Sequence, residues 1–162
     1  RECLQPGKIN VISTHTMNRT IRLASDHAGY PLKEEVKEWL KNMGYEFVDF
    51  GTNSTESCNY PEFAHALAEA IEKGELTTGI AICGTGNGIN MTLNHHDAIR
   101  SALCWMPEMA ALARQHNDAN VMVMPGRFIS SESAKVCVET FLSTPFEGGR
   151  HQARIDAIPV KK

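Results

Sequence analysis

A glycine-rich turn within residues 79–90 constrains this chain more than any other stretch. The segment reads Gly-Ile-Ala-Ile-Cys-Gly-Thr-Gly-Asn-Gly-Ile-Asn, a short apolar strand that breaks into a turn and then opens a helix. Glycines at alternate positions let backbone N–H groups at a helix N-terminus converge on negative charge. The spacing matches neither the dinucleotide fingerprint Gly-x-Gly-x-x-Gly nor a P-loop. The pattern therefore predicts an anion-contacting turn without defining its ligand.

Two reactive side chains flank this turn. Cys83 ends the predicted strand and Thr85 follows it, at the carboxyl edge where open α/β sheets bind ligands. A helix N-terminus favours a thiolate over a thiol, so Cys83 is a candidate for acid–base chemistry. The alternative is a tight βα turn in which Cys83 is a small buried hydrophobe, the commoner role of an isolated cysteine.

Length, charge and cysteine usage limit the class of protein. The 162 residues suffice for one domain, and 16 basic against 19 acidic residues give no general attraction to nucleic acid or to an anionic membrane. No apolar run approaches the ~20 residues of a membrane span. The five cysteines are scattered and never paired as Cys-x-x-Cys, which favours free thiols in the cytoplasm. We expect a cytoplasmic protein without nucleic-acid or membrane partners.

Strands and helices alternate along residues 17–162, which we interpret as a single domain. Residues 1–16 lack periodicity and a signal-peptide core, and we interpret them as an N-terminal extension, disordered or artefactual. Strands are predicted at residues 21–25, 45–50, 79–83, 99–104 and 120–124. Helices are predicted at residues 31–42, 61–73 and 131–142. Further helices are predicted from the glycine turn to about residue 94, from 107 into 114–118, and in a last short segment that begins near residue 150. The alternation predicts a three-layer α/β/α sandwich around a five-stranded, parallel, Rossmann-like sheet.

Apolar spacing predicts which helix faces are buried. Residues three and four apart recur in each helix, so one face of each packs on the sheet. In the helix that starts at Pro107, we expect Met109, Leu112 and Ala113 to face inward.

The loops of such a sheet gather polar residues at one edge, and we expect that edge to hold Asp26, His27, Cys83, Thr85, His116 and Arg127. Singly, each has an ordinary explanation. Asp26 can cap a helix, and the histidines can be surface imidazoles. Arg150 and Arg154, one helical turn apart, can form a solvated face. Together, around a glycine turn, these groups are suited to moving protons on a phosphorylated substrate.

The sequence resembles the B-type ribose-5-phosphate isomerases and their galactose-6-phosphate and allose-6-phosphate isomerase relatives. The resemblance covers nearly all of residues 17–159, and six motifs in order carry it. They are Ser-Asp-His-Ala-Gly at 25–29, Asn-Tyr-Pro at 59–61, the glycine turn at 82–89, Arg-Gln-His-Asn-Asp-Ala-Asn at 114–120, Gly-Arg at 126–127 and Glu-Gly-Gly-Arg-His-Gln-x-Arg at 147–154. It implies an aldose–ketose isomerase that converts ribose 5-phosphate to ribulose 5-phosphate through an enediolate. It also implies that no metal or other cofactor is required.

The resemblance further implies a role for each site residue. Cys83 is the base that moves the proton between C1 and C2, and Thr85 shuttles protons between the two sugar oxygens. His116, with Asp26, opens the sugar ring. The implied substrate-binding residues fall into three sets. The enediolate is held by Gly84, Gly86, Asn87 and Gly88, and the phosphate by His27, Arg127, Arg150 and Arg154. The sugar is contacted by Tyr60 and Asn117. Sites of this family are shared across a homodimer, or within a tetramer, with the His116 segment and Arg127 supplied by the partner subunit.

Two departures from the family pattern leave the sugar open. The chain has Asn-His-His-Asp at 94–97, where many members have Asn-Lys, and Cys-Trp-Met-Pro at 104–107 is bulky for a ribose enzyme. A six-carbon aldose 6-phosphate, galactose or allose 6-phosphate, is therefore an alternative substrate. Outside enzymes, the alternative is a non-catalytic module that binds a sugar phosphate. Adjacent side chains seldom point the same way, so His95 and His96 indicate a surface turn rather than a metal site.

Overall fold

The computed structural model describes residues 19–74 and 78–162, so the interpretation of residues 1–16 lies outside the described residues. Strands and helices alternate within that part as the sequence predicts. The elements are β1 (Thr20–Ser25), α1 (Tyr30–Asn42), β2 (Glu46–Asp49), α2 (Tyr60–Lys73), β3 (Thr78–Cys83), α3 (Asn87–Leu93), β4 (Ser101–Leu103), α4 (Pro107–Gln115), β5 (Val121–Pro125), α5 (Ser131–Ser143) and α6 (Arg150–Asp156).

The strands form one parallel five-stranded sheet in the order β2-β1-β3-β5-β4. The chain leaves β1 for β2 on one side and returns to β3 on the other side of β1, which makes the β1–β3 boundary a topological switch point. Open α/β sheets bind ligands beyond the carboxyl ends of the strands at such a point. The β1–β3 ladder ends with Ser25 opposite Ile82. Asp26 and Cys83 therefore follow the two strands side by side.

Two apolar clusters, one on each face of the sheet, confirm the predicted three-layer sandwich. Helices α1, α4 and α5 supply one cluster, and α2 and α3 supply the other. In α1, Leu32, Val36 and Leu40 are buried at four-residue steps, as the periodicity predicts. The longest helix within residues 19–74 and 78–162, α2, has 14 residues. No helix in the described part has the length and apolar character needed to cross a membrane.

Two local predictions at α4 and β4 are wrong. Leu112 of α4 is 42% exposed, because α4 contacts the core through the small side chains of Ala110 and Ala113. The sequence predicts a strand at residues 99–104, but β4 is only three residues long. It pairs with β5 alone, so it forms an edge of the sheet and has few partners to extend it. By contrast, the predicted serine cap of α5 is present, since the Ser130 hydroxyl accepts a hydrogen bond from the Ser133 N–H at 3.1 Å.

A buried ion pair holds the end of β2. The ammonium of Lys33, which is 1% exposed, and that of Lys37 both donate to the Asp49 carboxylate. Burial raises the pKa of Asp49, but the hydrogen bonds from the two lysines outweigh it and leave the pKa below its ordinary value. The same carboxylate accepts the Gly51 N–H at 2.8 Å. The pair thereby fixes the start of the loop that leads to the candidate site.

Candidate active site

The glycine turn lies at the switch point and is joined to the loop after β5. Cys83, the last residue of β3, is 4% exposed. Its carbonyl accepts the Gly126 N–H at 2.8 Å, and the Gly84 carbonyl accepts the Arg127 N–H at 3.0 Å. These hydrogen bonds continue the β3–β5 pairing past the strand ends, so the position of the turn is set by the sheet itself.

Two glycines of the turn are required by their surroundings. Gly86 has φ +80°, in the left-handed region, and a side chain there would collide with Leu103. A side chain on Gly88 would collide with the ring of Tyr60, which begins α2. The exposed Thr85 accepts the N–H of Asn87 on its hydroxyl at 3.3 Å. Close packing thus requires glycine at both positions of the turn.

Asp26 and His27 lie at the same edge. The N–H of Asp26 donates to the Ile82 carbonyl at 3.2 Å, and its carboxylate accepts the Gly29 N–H at 2.9 Å. Asp26 is 7% exposed, so the turn holds it in a fixed position beside the end of β3.

The ring of His27 is oriented by a backbone contact that sequence reasoning missed. Its Nδ1 accepts the N–H of Cys58 at 3.2 Å, so in the neutral imidazole the proton sits on Nε2. His27 can then offer Nε2–H to a ligand. The two residues are 31 positions apart, and nothing in the composition of the loop signals their contact.

Arg127 lies beside the turn of its own chain. It is exposed, and its Nη1 is 3.5 Å from the position that a Cβ on Gly84 would take. The resemblance implies that Arg127 reaches the site from the partner subunit, whereas within one chain Arg127 already lies beside its own glycine turn. The reason is topological: Arg127 follows β5, and β5 pairs with β3.

The predicted ring-opening histidine lies at the opposite edge of the sheet. His116 directly follows α4, and α4 runs from the carboxyl ends of the strands back to their amino ends. Shortly after His116, the N–H of Asn120 donates to the Arg100 carbonyl, just before β4 and β5 begin. Strand β3 has six residues, which separates the two edges by roughly 17 Å. The expectation that one edge of a single chain holds both His116 and Cys83 is wrong, because loops after helices and loops after strands lie at opposite edges.

His116 instead belongs to a second group of polar residues. Its ring stacks on that of His151 in α6, with 4.3 Å between centroids and 16° between planes. The stacking brings α6, which carries the exposed Arg150 and Arg154, against the end of α4. Asn117 is exposed next to His116, and its carbonyl accepts from Arg100 at 3.2 Å.

The predicted site residues therefore fall into two groups. The strand-end group comprises Asp26, His27, Tyr60, Cys83, Thr85, Arg127 and the turn residues Gly84, Gly86, Asn87 and Gly88. The histidine group comprises His116, Asn117, Arg150 and Arg154.

Two of the other cysteines are unsuited to acid–base chemistry. Burial raises the pKa of Cys104 to about 12, and burial together with nearby Glu108 raises the pKa of Cys137 to about 11. Both thiols therefore stay protonated at neutral pH. Cys58 is half-buried in the loop beside His27. Among the described cysteines, Cys83 alone ends a strand at the glycine turn.

A cavity of about 540 Å³ lies at the edge of the sheet opposite to Cys83. Arg100 and Arg114 line it, but both pair with the Asp118 carboxylate, and Arg114 also donates to the Ala119 carbonyl. Guanidinium groups that are already bonded are poor partners for a phosphate. The strand-end group is therefore the better candidate for substrate binding.

Comparison with known proteins identifies the family. A model of the Ribose/Galactose Isomerase family matches residues 21–158. The chain belongs to this family. It is similar to ribose-5-phosphate isomerase B of Escherichia coli K12, with 43% identity over 140 residues that cover 86% of this chain and 94% of that protein.

Solved structures of family members confirm the predicted fold. A ribose 5-phosphate isomerase from Thermotoga maritima is 50% identical, with a TM-score of 0.82 over 85% of this chain and 94% of that chain. Ribose-5-phosphate isomerase B from Mycoplasma genitalium, solved with bound ribulose-5-phosphate, is 41% identical, with a TM-score of 0.82 over 86% of this chain and 93% of that chain.

Proposed function

We propose that this family member interconverts ribose 5-phosphate and ribulose 5-phosphate. The observation that carries the proposal is the Mycoplasma genitalium structure, in which the same fold at 41% identity binds the ketose. The strand-end group adds chemical support, because a binding module needs neither a thiol at Cys83 nor a hydroxyl at Thr85. The four described cysteines carry free thiols, which supports a reducing, cytoplasmic location.

The strand-end group can carry out the proton transfer. As a thiolate, Cys83 removes the proton from C2 of the open-chain aldose, and the electron pair moves through C1 to O1 to give an enediolate. Backbone N–H groups of the turn, at Gly84, Gly86, Asn87 and Gly88, stabilise the negative oxygen. Thr85 transfers a proton between O1 and O2. Return of the proton from Cys83 to C1 then gives the ketose.

A second copy of the chain would supply the ring-opening histidine. Within one chain His116 lies at the wrong edge, whereas a two-fold axis can set the histidine group of one subunit against the strand-end group of the other. Large apolar side chains are exposed after β4 and β5, beside the strand-end group: Trp105 at 49%, Met106 at 40% and Phe128 at 73%. A partner subunit that covers them would bury apolar surface. We therefore propose a homodimer with two shared sites.

The remaining residues divide the binding of substrate between the two subunits. His27 and Arg127 of one chain and Arg150 and Arg154 of the other bind the phosphate, for which guanidinium groups are well suited. Tyr60 and Asn117 contact the sugar. Asp26, held beside the end of β3, assists His116 of the second chain in ring opening.

Turnover assays with purified protein in the presence of chelator test the proposal. We expect ketose to form from ribose 5-phosphate, measured by its absorbance, at a higher kcat/KM than from galactose or allose 6-phosphate. Turnover of a six-carbon sugar alone would make this chain a hexose-phosphate isomerase instead. Saturable binding without turnover of any of the three would leave only the binding module.

A further inference from the structure

Glu147, His116 and His151 bring three metal-ligating atoms together. His116 directly follows α4 as its C-cap residue, Glu147 lies in the loop before α6, and His151 is in the first turn of α6. The N–H of Glu147 donates to the Gln115 carbonyl at 3.1 Å, which holds the loop against α4. One ligand atom from each of the three side chains lies within 4.8 Å of the others. No second group of three such residues meets this condition in the chain from 19 to 74 and from 78 to 162.

The spacing and chemistry of these atoms suit a transition-metal dication. Zn²⁺ binds imidazole nitrogen and carboxylate oxygen at about 2.0–2.2 Å in tetrahedral sites, which sets ligand atoms roughly 3.3 Å apart. The His151 Nε2 and the Glu147 carboxylate already lie 3.5 Å apart. Imidazoles disfavour Mg²⁺ and Ca²⁺, which take oxygen ligands. Two histidines and one carboxylate would leave the fourth position for water.

The three side chains differ in mobility in a way that helps binding. His151 is 6% exposed, so burial holds its ring in place before a metal arrives. The Glu147 side chain is 52% exposed and can rotate toward an ion. The rings of His116 and His151 are stacked with 16° between their planes, and a bound metal lies in the plane of each imidazole that ligates it, so His116 must rotate out of the stack to direct a nitrogen at an ion on His151.

We propose that His116, Glu147 and His151 form an inhibitory site for Zn²⁺ or a similar dication. The inhibition rests on the proposed function, because a metal-bound His116 has one ring nitrogen on the metal and a hydrogen on the other, and so keeps no lone pair to accept a proton in ring opening. The metal is not a cofactor of the isomerisation. It binds His116 in competition with the substrate.

Calorimetric titration of the full chain with Zn²⁺ tests binding without reference to turnover. We expect one Zn²⁺ per chain and an affinity at least about tenfold weaker in Glu147→Gln, since loss of even an outer-shell partner costs that much. Cys83→Ala removes the thiol at the turn, and His65→Gln removes the imidazole that lies 2.8 Å from His96. Both control variants should bind Zn²⁺ like the wild type. Absence of binding to the wild type, or its loss in either control rather than in Glu147→Gln, would overturn the site.

Isomerase assays with added Zn²⁺ then test the inhibition. We expect Zn²⁺ to lower turnover of the wild type, EDTA to restore it, and Glu147→Gln to show normal basal turnover with inhibition shifted to higher Zn²⁺ by the factor found in calorimetry. Equal inhibition of wild type and Glu147→Gln would refute the inhibitory role. If the wild type binds Zn²⁺ through Glu147 but turns over none of the sugar phosphates, the proposed function fails and the metal site stands.

Discussion

Mixing two inactive variants gives a quantitative test of the shared site. Cys83→Ala removes the proposed base from the strand-end group, and His116→Ala removes the ring-opening group from the opposite edge, roughly 17 Å away along β3. Random exchange of subunits makes about half of the dimers mixed. Each mixed dimer has one site with both wild-type residues and one with neither. We therefore expect about a quarter of the wild-type activity per chain to return after exchange.

The assay is ketose formation before and after exchange in mild denaturant, with native mass spectrometry to count mixed dimers. The matched control is the double variant, Cys83→Ala with His116→Ala, mixed with wild type. Because every site of a mixed dimer would then lack one residue, activity should fall to about a quarter rather than to the half expected from dilution alone. If mixed dimers form and the single variants regain nothing, the division of the site between subunits is refuted.

Three further predictions concern the turn and the buried ion pair. Cys83→Ser should lower kcat by about a hundredfold or more with little change in KM or in thermal unfolding, because a hydroxyl is a poor base; near-normal turnover would exclude the thiol as base. Gly86→Ala should lower the free energy of unfolding by about 2 kcal/mol or more in urea titrations, because it adds a collision to the strain of a positive φ. The control variant Gly148→Ala, at φ +68° with nothing within 4 Å, should lower it by only about 1 kcal/mol. Asp49→Asn should flatten the loss of stability below about pH 4. Because the pKa of Asp49 is lowered in the folded state, its ionised carboxylate contributes to the free energy of unfolding. That contribution is complete above the pKa of the unfolded state and is lost as the pH falls through the pKa of the folded state. An Asp49→Asn variant whose stability falls with acid as steeply as that of the wild type would contradict this.

Local sequence patterns predicted most of the fold and the strand-end group. The glycine turn follows a strand of five consecutive buried residues, and each helix carries its apolar stripe at three- and four-residue spacing. Residues that directly follow β1 and β3, such as Asp26 and Cys83, must lie at the carboxyl edge whatever the order of the strands. Their neighbourhood could therefore be predicted without knowledge of the sheet.

Long-range pairing determines what the patterns missed. Arg127 lies beside Gly84 of its own chain only because β5 is adjacent to β3, and strand order is not written in the periodicity of any segment. The contact between Cys58 and His27 likewise joins two loops across 31 positions. The error over His116 was different in kind, because its position directly after a predicted helix already assigned it to the opposite edge.

The proposed division of the site between subunits is consistent with the geometry of a parallel sheet. Every residue that directly follows a strand lies at one edge of the sheet. Only a few loops at that edge can carry the catalytic and binding side chains that contact a sugar phosphate from different sides. The loops after the helices are available for additional groups, but within one chain they lie a full strand length away from Cys83. An isologous two-fold axis would remove this separation and would complete two sites at once. On this assignment the ring-opening histidine and the base never belong to one subunit, so dissociation of the dimer should abolish turnover of the cyclic sugar even though each chain keeps its glycine turn and its thiol.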